Sequence, residues 1–285
     1  MRKKRRKKTN FFKNSYFRIA LVLLIFFIII SIVCFGLFSF SKILFSKNPH
    51  FMISKISVKG TSYWNNRSDK ISRTLNLKIG KTNLYDINLG VLRKRLESMK
   101  EYGIESVEIS RELPNTLHLN ITERIPRAII YNRKSNLVVD QNGVLMNSKY
   151  TPDINDDLPV ITGFRLKKQN NKYPYGKIIK KIKPALFFIS LINTNFINFK
   201  IKIINLYSNN ELNVFMFSPN NKIVKVIFPF KYSVDNPPSP QKIISNIKLL
   251  KSKLTELEEL YKYLRWKRTP YKEINLLYKD QAIIK

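Results

Sequence analysis

A period-two alternation of apolar and polar residues after position 110 predicts a half-buried β-strand. Its apolar face carries Leu117, Leu119 and Ile121, and the residues between them are polar. The sequence Leu113-Pro114-Asn115 predicts a tight turn before this strand. A similar apolar pattern over 104–109 lies on the other side of that turn, so the two runs are expected to pair as an antiparallel hairpin.

The pattern upstream of this hairpin predicts one more strand and two helices. Phe51–Gly60 reads as a strand with a phase break near Lys55, and 69–77 reads as a short helix that Gly80 terminates. Apolar residues at helical spacing predict a second helix within 83–99. The order strand, helix, helix, strand, strand predicts an α+β unit over 51–125, in which two helices cover one face of a three-stranded sheet.

The segment 126–285 predicts a second, mainly antiparallel β domain. Short strands are expected over 128–146, a helix within 178–192, a meander over 201–228 and closing strands over 273–278 and 282–284. Before the closing strands, apolar residues recur in three- and four-residue steps from Ile243 to Leu264. They predict a helix packed on its own sheet, and a coiled coil with a partner is the alternative.

The amino-terminal residues predict a membrane anchor. An uncharged apolar run, Ile19–Phe40, is long enough to span about 30 Å of hydrocarbon as a helix. It follows a basic tail over 1–18, and a linker over 41–50 leads to the α+β unit. A cleaved signal peptide is the alternative, but its apolar region would be shorter and would end in small residues. The positive-inside rule places the tail in the cytoplasm and the rest of the chain outside.

The formal net charge of +33 suggests nucleic acid, anionic lipid or an acidic polymer as a partner, although an A/T-rich genome would also enrich Lys. An extracytoplasmic location argues against nucleic acid, whereas the basic tail is suited to anionic lipid. The single cysteine, Cys34, lies in the apolar run, which excludes an internal disulfide and a Cys-rich zinc site outside the membrane.

The sequence contains no pattern typical of an active site. The two histidines, His50 and His118, are isolated from other metal-ligating residues, and the acidic pair Asp156-Asp157 reads as a loop. No nucleophile elbow, phosphate-binding loop or dinucleotide fingerprint occurs. We therefore predict a protein without catalytic activity, metal or cofactor, which acts through its surfaces.

Several short motifs follow one another along the chain: F-x-I-x-x-I-x-V-x-G from Phe51, G-x-x-N-L-Y from Gly80, the run Ser110–Ala128, V-D-Q-N-G from Val139 and L-P-V-I-T-G from Leu158. In this order they resemble the FtsQ/DivIB cell-division family, whose members carry a POTRA module behind one membrane helix. The closing sequence K-E-I-N-L-L-Y-K-D-Q-A-I-I-K is also similar, although Asn275 and Leu277 stand where the family commonly has an acidic and a basic residue.

This resemblance implies a scaffold that links septal division proteins outside the cytoplasmic membrane. Its implied partners are FtsB-like and FtsL-like proteins and, through them, the septal peptidoglycan synthase complex. A strand at the end of an antiparallel sheet can accept an added strand, and the resemblance places this event at the closing strand, Ile274–Tyr278. The POTRA-like module is a second candidate surface. The predicted partner-binding residues are Trp266, Ile274, Leu276, Tyr278, Ala282 and Ile284.

Two other functions remain as alternatives. The first is a POTRA-bearing component of protein translocation or outer-membrane assembly, although such proteins carry several modules in tandem and a barrel. The second is a membrane-tethered nucleic-acid or cell-wall binder that uses the positive charge, and its binding would depend strongly on salt.

Overall fold

The protein is described by a computed structural model that covers residues 15–46, 48–132, 137–151, 157–168, 172–208, 210–230, 240–267, 270–279 and 281–285. The predicted basic tail thus lies almost entirely outside the described residues. Helix α1, Ser15–Phe45, opens the described part. It contains one candidate membrane span, Ile19–Phe40, whose mean hydropathy is 3.3 and whose side chains are not buried by the protein.

The first unit after α1 has the predicted α+β order. Its elements are β1 (Lys55–Gly60), α2 (Ser68–Leu75), α3 (Leu89–Glu97), β2 (Ile104–Glu112) and β3 (Thr116–Glu123). The sheet order is β1-β3-β2, with β1 parallel and β2 antiparallel to β3. The predicted hairpin of β2 and β3 is confirmed, and the core between the sheet and the helices includes Trp64, Leu96 and Leu119.

Local hydrogen bonds explain where these elements begin and end. Strand β1 begins four residues later than predicted because Phe51 and Ile53 bond to the loop 82–84 instead of the sheet. Helix α2 ends at Leu75, because its capping residue Asn76 adopts the left-handed conformation. Helix α3 begins where the Asn88 side chain accepts a hydrogen bond from the Val91 N–H at 3.1 Å.

The second unit is built on a nine-stranded, mostly antiparallel sheet. Its strand order is β12-β11-β10-β9-β8-β7-β4-β5-β6, and three of the eight pairs are parallel: β4 with β7, β7 with β8, and β10 with β11. The strands are β4 (Ala128–Ile130), β5 (Leu137–Val139), β6 (Leu145–Asn147), β7 (Val160–Thr162), β8 (Ile201–Asn205), β9 (Glu211–Phe217), β10 (Ile223–Pro229), β11 (Glu273–Asn275) and β12 (Ile283–Ile284).

Two helices supply the rest of the second core. Helix α4, Lys183–Asn195, packs Phe188 against Phe228 of β10, with ring centroids 4.9 Å apart. Helix α5, Pro240–Lys267, buries a stripe at helical spacing: Leu250, Leu254, Leu257, Tyr261 and Leu264. The stripe therefore packs against the protein's own core, as predicted, and does not form the seam of a coiled coil.

Candidate partner-binding edge

The β6 end of the large sheet is covered by the protein itself. The backbone of Leu145 in β6 donates to the Lys177 carbonyl at 3.1 Å and accepts from Gly176 N–H at 2.8 Å. On the same strand, Met146 lies against Gly103 of the first unit, where an added Cβ would be 3.1 Å from its sulfur. Among the residues that the structure describes, Leu145 therefore has no free backbone group to offer an incoming strand.

The β12 end is different, because β12 is the last strand of the sheet in the described part of the chain. Lys285 N–H donates to the Glu273 carbonyl at 2.9 Å, and Glu273 N–H donates to the Lys285 carbonyl at 3.0 Å. In an antiparallel pair, residues alternate between bonding inward and bonding outward. Ile284, which is opposite Ile274, therefore directs its N–H and C=O groups away from β11, toward a position that an added strand could occupy.

The six predicted partner-binding residues fall into two groups. Ile274 and Leu276 are fully buried in the core, so their side chains support the edge from inside. Ala282 is partly buried and packs on the same core. Trp266 is 78% exposed, Tyr278 is 51% exposed and Ile284 is 37% exposed, which leaves all three available to a partner. Trp266 therefore does not cover the core at the end of α5.

The receiving strand is shorter than the sequence predicted. Strand β11 ends at Asn275, whose side-chain oxygen accepts a hydrogen bond from the Leu277 N–H at 2.9 Å. This local bond turns the chain out of the sheet. Strand β11 is also paired on both sides, with β10 and with β12, so the open backbone belongs to β12 and not to the predicted segment Ile274–Tyr278.

Lys253 on α5 holds the segment after β11 in place, and sequence reasoning missed it. Its ammonium group is buried and donates to Glu256 Oε2 at 2.6 Å and to the Tyr278 carbonyl at 2.7 Å. A buried Lys must be paired in this way. The only signal in the sequence is a glutamate three residues later, which is common on helices and specifies nothing about Tyr278.

A second ion pair joins the last three strands. Lys225 of β10 donates to Glu273 Oε2 of β11 at 2.8 Å, and the Lys285 ammonium lies 3.8 Å from Glu273 Oε1. The hydrogen bond from Lys225 is the main reason why the pKa of the Glu273 carboxyl lies below its usual value, and both lysine charges add to the effect.

The two units meet through polar and aromatic contacts. Arg124, just after β3, forms a 2.7 Å ion pair with Asp140, which follows β5. The Tyr102 ring of the first unit stacks on the Tyr150 ring of the second at 4.2 Å. The Lys70 ammonium lies within about 5 Å of both rings and also of Tyr63. These contacts hold the second unit against one end of the first unit. It is the end at which β1 and β3 finish, opposite the start of β1.

Glu123 organises the turn that supplies Tyr63 and its neighbour Trp64. Its buried carboxylate accepts hydrogen bonds from the N–H groups of Ser62, Tyr63 and Trp64 at 3.0, 2.9 and 3.0 Å. Gly60 leaves room for this arrangement, because a Cβ there would lie 3.0 Å from Glu123 Oε1. This carboxylate therefore holds a turn at the junction between the two units.

Comparisons with known proteins agree with the resemblance seen in the motifs. Residues 51–124 match the model for the POTRA domain, FtsQ-type. A cell division protein DivIB from Clostridium acetobutylicum is 32% identical over 100 residues, which cover 35% of this chain and 38% of that protein. The Staphylococcus aureus (strain NCTC 8325) cell division protein DivIB is 28% identical over 125 residues, covering 44% of this chain and 27% of that protein. The matches thus span well under half of each relative. These names do not favour translocation or outer-membrane assembly.

Proposed function

We propose that this chain, which belongs to the FtsQ/DivIB family, is a non-catalytic cell-division scaffold that captures a partner strand at β12. The partner is an FtsB-like protein, accompanied by an FtsL-like protein, and the complex engages the septal peptidoglycan synthase. Ile19–Phe40 anchors the chain in the cytoplasmic membrane with its amino terminus inside, where the basic tail contacts anionic lipid. The remainder works outside the membrane, concentrated at the septum.

One observation carries the choice of β12: the large sheet has one end covered by the protein and one end open among the described strands. Leu145 of β6 already uses its outward backbone groups, whereas Ile284 of β12 presents its own outward. Main-chain hydrogen bonds supply the affinity when a strand is added to a sheet edge, and neighbouring side chains supply the specificity.

The side chains around β12 indicate what kind of strand fits there. Ile283 of β12 and Tyr278 of the loop before it expose apolar surface, and so does Trp266 at the end of α5. Lys272, Lys279 and Lys285 are exposed as well, and Glu273 is engaged with Lys225. An apolar strand with acidic flanks would satisfy both features, because the acidic flanks would lie among these cations.

A proline at position 284 tests the proposal without disturbing the core. The Ile284 N–H points away from β11, so Ile284→Pro removes a donor that only an added strand would use, and proline is tolerated on edge strands. The matched control, Ile284→Val, keeps the donor and an apolar side chain. We expect Ile284→Pro to abolish co-purification with an FtsB-like protein, whereas Ile284→Val retains it. Retention by both variants would refute strand addition at β12.

This pair of variants is more specific than deleting 271–285, because that deletion also removes Ile274 and Leu276 from the core. Location is tested separately with a fluorescent fusion of the full chain. The proposal expects concentration at midcell for the wild type, and a uniform membrane signal would contradict a role in septation.

A further inference from the structure

The end of α1 is packed against the first unit and does not lead into a free linker. The Phe45 ring contacts the rings of Tyr85 and Phe51, with centroids 4.9 and 5.7 Å away. The buried Asn83 side chain donates to the carbonyls of Phe45 and Asn48 at 3.0 and 3.3 Å. These residues form an anchor collar, which we define as Phe45, Asn48, Phe51, Asn83 and Tyr85.

Three loops of the first unit converge at this collar. The loop 78–82 bonds to the segment before β1, through Ile53 N–H to the Thr82 carbonyl at 2.9 Å and Gly80 N–H to the Ile53 carbonyl at 2.8 Å. The tip of the β2–β3 hairpin joins them through Ser54 N–H, which donates to the Asn115 carbonyl at 2.9 Å. Arg111 at the base of the tip donates to the Leu84 carbonyl at 2.9 Å.

The two loops beside the collar expose one large apolar side chain each. Ile79 is 53% exposed between Lys78 and Lys81, and Leu113 is 59% exposed between Glu112 and Pro114 at the hairpin tip. Exposed apolar residues beside Lys and Arg are typical of surfaces that lie in the membrane interface. An aqueous surface provides no stabilisation for these two side chains.

The length of α1 places this end of the unit at lipid headgroup depth. Phe45 lies five residues beyond Phe40, the last residue of the apolar span, which corresponds to about 7.5 Å along a helix. The headgroup layer on one side of a bilayer is roughly 5–8 Å thick. Aromatic residues such as those of the collar are enriched at that depth.

We infer that the collar end of the first unit is a lipid-contacting surface, in which Ile79 and Leu113 insert into the headgroup region and the exposed Lys78 and Lys81 contact lipid phosphates. This inference rests on the proposed anchoring of α1. It assigns the unit a fixed pose: strand β1 leads away from the bilayer, and the junction with the second unit lies at the far end.

Spin labels on the full chain in phosphatidylcholine–phosphatidylglycerol nanodiscs test the inference. Labels are placed at Ile79→Cys and Leu113→Cys in a Cys34→Ala background. The control, Thr122→Cys, is exposed on β3 about 20 Å from the hairpin tip, at roughly 3.3 Å per residue. Collision rates with membrane-soluble oxygen and with a water-soluble nickel complex report the depth of each label.

We expect the labels at 79 and 113 to collide more with oxygen and less with nickel than the label at 122. Equal accessibility at all three positions would overturn the inference. The native Cys34, exposed on α1, separates this outcome from a failure of the anchor. A label at Cys34 buried in hydrocarbon, with 79 and 113 aqueous, rejects the lipid-contacting surface alone, and an aqueous Cys34 label rejects the anchor as well.

Discussion

Replacing Glu123 by glutamine should release the turn over 62–64, which supplies Tyr63 to the junction between the two units. In the wild type, Oε1 accepts hydrogen bonds from Ser62 and Trp64, and Oε2 accepts one from Tyr63. Glutamine has the same shape, but it replaces one carboxylate oxygen with an amide NH₂ group. When its oxygen takes the position of Oε1, the NH₂ group faces the Tyr63 N–H, and two donors oppose each other.

The expected cost follows from the three bonds. Two of them change from charge-assisted to neutral hydrogen bonds, and each change reduces the stability of the turn by about 1 kcal/mol. The third leaves the Tyr63 N–H without an acceptor, which costs about 1–3 kcal/mol. The sum is about 3 kcal/mol at its lower end, equivalent to roughly 150-fold in an opening equilibrium.

Hydrogen–deuterium exchange of the full chain in detergent measures this cost directly, because the three donors are the exchanging amides. We expect amides 62–64 to exchange roughly 150-fold faster in Glu123→Gln than in the wild type. Glu108→Gln is the control, since Glu108 is exposed on β2 of the same sheet and should change protection by less than about 0.5 kcal/mol. If both variants exchange alike, the carboxylate does not hold the turn.

Two further predictions concern the candidate edge. Lys253→Met leaves the Tyr278 carbonyl without its buried donor, so we expect the local opening free energy to fall by about 2 kcal/mol and amides 273–285 to exchange roughly 30-fold faster. Lys251→Met, at an exposed position of the same helix, is the control. If Lys253→Met and this control exchange alike, Lys253 does not position the segment. The depressed pKa of Glu273 means that its ion pairs stabilise the edge fully above the ordinary value of 4.5 and are lost as the pH falls through the folded-state pKa. The protection of amides 273–285, measured relative to their intrinsic exchange rate at each pH, should therefore fall on acidification in the wild type, and this acid response should be weaker in Glu273→Gln; equal responses would remove Glu273 as the cause.

The sequence predicted well those elements whose pattern is local. The β2–β3 hairpin and the meander of β8 to β10 follow from alternation and turn residues. The buried stripe on α5 follows from helical spacing. In each case, neighbours along the chain are also neighbours in space, so the period of the apolar residues determines the face that is buried.

Features that depend on long-range pairing were not predictable. Helix α5 forms the crossover that makes β11 parallel to β10, and apolar spacing does not say which strand a segment will pair with. Thus Ile274 was predicted to lie on the receiving strand, although its side chain is in the core and its strand is covered by β12. Lys253 and Asn83 were missed for a related reason: their partners, the Tyr278 and Phe45 carbonyls, lie 25 and 38 residues away.

These long-range contacts connect the end of α1 to the candidate edge. Asn83 holds the end of α1 on the first unit, Glu123 shapes the turn that carries Tyr63 and Trp64, and the Arg124–Asp140 pair joins the second unit to the first. Each link is a buried or partly buried polar contact, and removing one partner of such a contact costs more than the contact itself contributes. If α1 spans a bilayer as proposed, the described links favour a defined height of β12 above that bilayer. A captured strand would have to reach that height, which makes the length of a membrane-anchored partner, and not only its sequence, a determinant of binding.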